Sequence, residues 1–174
     1  MKKILFILLS FFFTLSLMAQ HISFLGKPIG CDITEFKQRM IARNYVSNGE
    51  VENGVYSFNG MFGGYNTLIA AYLTSKSKVV YSVGVFYKDF TSNEYYDNSL
   101  ETQKNQYNLI NDALINKYGI PSSTKDLFSL WDVEYGEIIL TVNPPDKYGN
   151  RQLILWYRDY DGLKKRDEEN ASDY

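Results

Sequence analysis

The chain holds one histidine, His21, and one cysteine, Cys31. Every Ser-His-Asp or Cys-His mechanism would therefore have to run through His21, since the nucleophile needs a base within hydrogen-bond reach. His21 falls next to the expected processed N-terminus, where chain ends fray, and reads as a surface residue. Cys31 precedes a helix start and reads as a packing residue. The usual zinc sites are excluded by ligand count. Asp159-Tyr160-Asp161-Gly162 opens like a calcium loop, but Leu163 occupies the next ligand position and the spacing fails. Asp132 and Glu134 flank a hairpin and are the pair that a carboxylate-using hydrolase would need. Gly60, Gly63 and Gly64 lack the strand-to-helix context and the Lys-Ser or Lys-Thr of a phosphate loop. The expectation is thus no catalytic residue, no metal and no cofactor, with a hydrolase of the envelope or exterior as the alternative.

The elements that would position any site divide into two similar units. Asp32-Ile33-Thr34-Glu35-Phe36 opens a helix, with Asp32 as cap, Glu35 completing a capping box and Cys31 stapling onto Phe36. Phe36, Met40 and Ile41 mark its apolar face, and it should end near Asn44. From Val55 the period becomes two, predicting strands to about Phe62, from Tyr65 to Tyr72 and from Val79 to Tyr87, with a Gly63-Gly64 hairpin between the first two. Leu100, Tyr107, Ile110 and Leu114 then predict a second helix ending at Tyr118-Gly119-Ile120-Pro121. Strands follow at about Leu127–Trp131, Glu137–Asn143 and Gln152–Asp159, and Pro144 to Asn150 forms the last loop. Tyr45 with Tyr118, Phe58 with Trp131, Gly64 with Gly136 and Val85 with Leu155 align the units at offsets of 70 to 73 residues. The expected fold class is α+β, two helix-strand-strand-strand units (about 32–89 and 99–159) forming an antiparallel sheet with helices on one face.

Residues 1–19 carry Lys2 and Lys3, an apolar run from Ile4 to Leu17, and Met18-Ala19, the order of a secretory signal cleaved after Ala19. The apolar run is shorter than the roughly 20 residues of a membrane span. Cleavage leaves 155 residues with 16 basic and 20 acidic side chains, a net charge of −4. That balance offers no basic field for nucleic acid. Residues 20–163 should form a single domain in the periplasm or exterior, without internal disulfides, and the polar run 164–174 should be disordered.

What remains is a surface. In the third strand of each unit Val83, Val85 and Tyr87 correspond to Leu153, Leu155 and Tyr157, and this uniformly apolar set is assigned to the helix-covered face. The opposite face would then show Phe86, Ile154 and Trp156, joined by Tyr65, Ile69 and Ile139 from the middle strands. Aromatic residues on an uncovered sheet face mark contact with a partner, unless the segment from His21 to Gly30 or a second subunit covers them.

Phe24-Leu25-Gly26-Lys27-Pro28-Ile29-Gly30, Gly60-Met61-Phe62-Gly63-Gly64 and Lys117-Tyr118-Gly119-Ile120-Pro121 resemble segments of small exported bacterial proteins of unknown function, a likeness that speaks of fold. The doubled helix-and-sheet plan is similar in architecture to the β-lactamase inhibitory proteins, whose concave sheet grips an enzyme, although their disulfides are lacking here. Together these readings predict a non-enzymatic binding or inhibitor-like module with a protein partner in the envelope or exterior.

Overall fold

The computed structural model describes residues 21–88, 100–145, 147 and 151–172. The expected signal segment and the chain from Asp89 to Ser99 lie outside them. A short antiparallel hairpin comes first, β1 (Ser23–Phe24) and β2 (Lys27–Pro28), joined by Leu25 and Gly26, both at positive φ as a two-residue hairpin turn requires. Helix α1 (Ile33–Ile41) follows, with Asp32 accepting from the Thr34 amide at 2.7 Å. The reciprocal half of the expected capping box is not made: the Glu35 carboxylate pairs instead with Arg39 one turn on.

Four strands then run as a meander: β3 (Val46–Glu52), β4 (Val55–Phe62), β5 (Tyr65–Leu73) and β6 (Val80–Tyr87). Helix α2 (Leu100–Tyr118) leads into a second meander of β7 (Ser123–Thr124), β8 (Phe128–Val133), β9 (Gly136–Val142) and β10 (Leu153–Asp159). The eight strands form one antiparallel sheet in the order β3-β4-β5-β6-β10-β9-β8-β7. The meanders therefore meet at β6 and β10, where Val85 pairs with Leu155 and Gly84 with Trp156. The fold is α+β, as expected, but each half has four strands rather than three. The additional ones, β3 and β7, are the two edges of the sheet. β3 is interrupted by two register shifts, and β7 is two residues long. Both are ways of blunting an edge against pairing with another chain.

Phe36 and Met40 of α1 and Tyr107, Ile110 and Leu114 of α2 share one core with Phe58, Val83, Val85, Tyr87, Trp131, Ile138, Leu140, Leu153, Leu155 and Tyr157. Both helices thus cover the same sheet face, and the apolar set of the third strands is on it. Trp131 is the largest side chain of this core, fully buried, with its Nε1 donating to the Gly119 carbonyl at 2.8 Å. Buried hydroxyls are paired as well: Tyr107 with Ser129 at 2.6 Å, and Tyr45 donating to the Met61 carbonyl at 2.7 Å.

The N-terminal hairpin belongs to this side too. Ile22, Phe24 and Ile29 are in the core, and Phe24 stacks on Phe62 with ring centroids 5.7 Å apart and meets Tyr157 edge-on at 5.2 Å.

The polar run after Asp159 departs from expectation. Instead of being disordered from Lys164, it forms helix α3 (Tyr160–Ala171). No apolar stripe announces this helix; polar contacts hold it. Asp159 caps it, accepting from the Gly162 amide at 2.8 Å, and the Arg166 guanidinium lies over the Tyr81 ring, 5.1 Å from its centroid. Near its end the Glu169 carboxylate accepts from the Lys76 amide at 2.6 Å and from the Ser77 amide and hydroxyl in the β5–β6 turn.

Candidate functional site

Strand alternation decides which side chains reach the face away from the helices. On β10 these are Ile154, Trp156 and Arg158. Their cross-strand partners on β6 are Phe86, Gly84 and Ser82, and on β9 they are Thr141, Ile139 and Glu137. Leu68, Ala70 and Tyr72 of β5 and Phe128 and Leu130 of β8 extend the same face. Phe86, Trp156, Ile154 and Ile139 therefore stand where the sequence put them.

Tyr65 and Ile69 do not. Ile69 pairs with Val85, which turns it inward, and it is completely buried in the helix-covered core. Tyr65, four residues before it, shares that face and meets the Tyr87 ring edge-on at 6.0 Å. The expectation failed by parity: the Gly63-Gly64 hairpin sets Ile69 opposite Phe58 and Val85, both in the core, and an assignment off by one residue exchanges the two faces. Two residues that sequence reasoning missed take their place: Leu68 and Tyr72, of which Tyr72 adds a third ring to the cluster.

The cluster centres on Trp156. Its ring meets Phe86 edge-on at 5.7 Å and Tyr72 at 5.4 Å, and the Arg158 guanidinium lies 5.7 Å from its centroid. Arg158 also donates to Glu137 at 2.9 Å, which fixes the cation beside the indole. Gly84 explains why the rings can lie so close to the sheet. A Cβ at that position would come within 2.9 Å of both Phe86 and Trp156, closer than real carbon contacts allow. The rings thus fill the space over a strand glycine. Trp156, Phe86 and Tyr72 remain partly exposed, whereas Ile154, opposite Phe86, and Ile139, opposite Trp156 on β9, are buried. Burial, with Tyr81 and Glu52 nearby, raises the Tyr72 phenol above its ordinary range, so its hydroxyl is a neutral donor and acceptor at physiological pH.

Beyond the aromatic centre the face becomes polar. Lys88 donates to Asn59 at 2.6 Å, Asn59 to Asn48 at 2.7 Å, and Asn48 to Ser57 at 3.1 Å, a chain of hydrogen bonds across β3 and β4. An apolar, aromatic centre beside a polar border is the layout of a surface that excludes water from a few anchors.

Of the residues weighed for catalysis, Asp132 falls at the edge of this face, paired across strands with Glu137, and the others lie elsewhere. His21 is held rather than frayed: its Nδ1 is 2.8 Å from the Asp159 carboxylate, which also accepts from the Ile22 amide at 3.0 Å and from Gly162. Asp159 is completely buried by these contacts, so the residue that resembled a calcium ligand ties the N-terminal segment to α3. Gly30 leaves the room that the imidazole fills, since a Cβ there would fall 2.2 Å from the ring. Asp132 accepts from the Tyr160 hydroxyl at 3.0 Å, and Glu134 accepts from Tyr135 beside it. Burial pushes the Cys31 thiol up, an effect that Arg39 only partly opposes. Among the described residues no three His, Cys, Asp or Glu side chains gather as a metal site, and no helix is long and apolar enough to cross a membrane.

Comparison of the chain with protein families, with curated proteins and with solved structures finds no match.

Proposed function

We propose that this chain is an exported, non-enzymatic binding or inhibitor-like module that meets a protein partner of the cell envelope or exterior through the Trp156 face of its sheet. One observation carries this reading: three aromatic rings are clustered and left partly exposed on the face opposite both α1 and α2, and the N-terminal segment that was the obvious cover packs on the other side. A large aromatic that stays half in water gives up much of what burial offers, about 1.5–3 kcal/mol for a side chain of the size of Phe. Contact with a partner recovers it.

The same reading takes the two halves as copies of one helix-plus-three-strand unit, each with an added edge strand. Phe58 and Trp131, matched by the alignment, are both fully buried. Val85 and Leu155, also matched, face one another where the meanders join, as a local two-fold arrangement requires. Such a duplication makes a sheet twice as wide as either copy, and the aromatic cluster lies across the seam.

A photo-crosslinking residue introduced at Leu68 should capture a partner from an envelope extract, and the same residue at exposed Leu109 on the helix side should not capture that partner. Trp156→Ala should weaken affinity for the captured partner by roughly 30-fold, the size of a hot-spot loss of about 2 kcal/mol. A crosslink only to a second copy of the chain, or unchanged affinity in Trp156→Ala, would overturn the assignment.

A further inference from the structure

On the opposite side of the sheet, α2 does not close completely against the β4–β5 hairpin. Between them lies an open cleft of about 360 Å³, lined from the sheet by Phe62, Tyr65, Tyr87 and Tyr157 and from the helix by Leu109, Ala113 and Lys117 among others. The volume lies at the small end of the range of ligand sites, roughly 300–1,000 Å³.

Helix α2 is built for two jobs on adjacent stripes. Tyr107, Ile110 and Leu114 fill the core. Leu109, Ala113 and Lys117, spaced by four residues, form a second stripe along the cleft. Leu109 is 63% exposed, an apolar side chain that the fold itself does not bury.

The opposite wall is rigid. Tyr87 meets Phe62 at 6.5 Å and Tyr65 at 6.0 Å, and Tyr157 is buried and braced by the Phe24 ring at 5.2 Å. Burial raises the Tyr87 and Tyr157 phenols, so this wall carries no negative charge at physiological pH.

The one charged side chain among the described lining residues is Lys117, whose Nζ lies over the Tyr118 ring, 4.7 Å from its centroid. An apolar, aromatic trough with a single cation and no carboxylate in its lining is complementary to one kind of small molecule: an apolar body with one anionic head.

We propose that this cleft binds a single-chain anionic amphiphile, of which a medium-chain carboxylate is the simplest, with the chain between Leu109 and the tyrosine wall and the head group at Lys117. The small volume favours one free chain over a two-chain bilayer lipid. This site is separate from the Trp156 face and does not depend on its assignment.

The test uses the processed chain from Gln20 and laurate below its micelle concentration, with dodecanol and phosphatidylglycerol vesicles as the other arms. Calorimetry should give one site for laurate in the micromolar range, at least tenfold tighter than for dodecanol. Methyl shift changes should centre on Leu109, Ala113 and Leu114.

Lys117→Met should weaken laurate roughly tenfold, the loss of one charge-assisted contact, while leaving dodecanol unchanged. Ala113→Trp, at an exposed position, should abolish binding of both without lowering the unfolding temperature. The proposal is overturned by equal affinity for laurate and dodecanol, by laurate binding that survives Ala113→Trp, by shift changes centred on the Trp156 indole, or by adsorption to vesicles without binding of free laurate.

Discussion

Trp131 and Trp156 lie on opposite faces of one sheet, and their surroundings differ in kind. Trp131 is fully buried, its Nε1 donates to a backbone carbonyl, and it packs among residues of α2, β8 and β9. Trp156 rests on a glycine, touches two other rings and an arginine, and stays partly in solvent. The first indole is enclosed by the core that both helices share with the sheet. The second is held by neighbours that are themselves at the surface. Position in the strand pattern, not residue type, separates an aromatic that holds the fold together from one available to a partner.

The sharpest way to break this contrast is to truncate both. Trp131→Ala should cost about 3–5 kcal/mol, because it opens a cavity and leaves the Gly119 carbonyl without its donor. Trp156→Ala should cost far less, since solvent already reaches the ring. Denaturant unfolding of the two variants measures both numbers, and similar losses would erase the distinction between the faces.

A finer comparison uses the same small change on each face. Gly60, on β4, packs against Tyr45: a Cβ there would fall 2.2 Å from the Tyr45 ring, which is buried and tethered through its hydroxyl to Met61. Gly60→Ala should therefore cost about 1–3 kcal/mol, as overpacking does when the neighbour cannot yield. Gly84→Ala also meets rings, at 2.9 Å, but Phe86 and Trp156 can swing outward into solvent. Its strain is further offset by the backbone entropy that a strand glycine loses, roughly 0.5–1 kcal/mol. The expected result is a stability change under about 1 kcal/mol together with an altered near-ultraviolet dichroism, because the clustered rings have moved. A large loss of stability in Gly84→Ala would mean that the outer cluster is as rigid as the core.

These contrasts also explain what could be read from sequence. The inward set Val83, Val85, Tyr87, Leu153, Leu155 and Tyr157 was legible because strands buried against helices repeat apolar residues at period two. Helix α1 was legible from Asp32, and α2 from its apolar spacing and Gly119. The edge strands were not. β3 reads Val-Ser-Asn-Gly-Glu-Val-Glu, is mostly exposed and is twice interrupted, so it has no face to imprint on the sequence. β5 was placed, but its facing was inverted, which moved Tyr65 and Ile69 to the wrong side and hid Tyr72. The pairing of His21 with Asp159 spans 138 residues and leaves no local pattern. Helix α3 escaped for a related reason: its partners are the turn at Ser75–Ser77 and Tyr81, far away in the chain.

That last helix provides the smallest and most selective test, since its attachment is polar where α1 and α2 are held by apolar burial. The Glu169 carboxylate is bound first by the Ser77 hydroxyl and then by the Lys76 and Ser77 amides, which hold its pKa at about 2, below the ordinary 4.5. A carboxyl depressed on docking stabilises the docked helix fully above the undocked value, and that contribution fades as pH falls from about 4.5 towards 2. The Lys76 amide proton reports on the bond directly, so its chemical shift should titrate with a midpoint near 2. In Glu169→Gln that titration should vanish, and the α3 amides should exchange faster at neutral pH while the core strands keep their protection. Because the carboxylate lies at the surface, the effect belongs to the local opening of α3 and not to global unfolding. A midpoint near 4.5 for Lys76, or equal α3 protection in the two proteins, would show that the clasp does not hold this helix, and the contrast between a polar attachment and an apolar core would lose its clearest case.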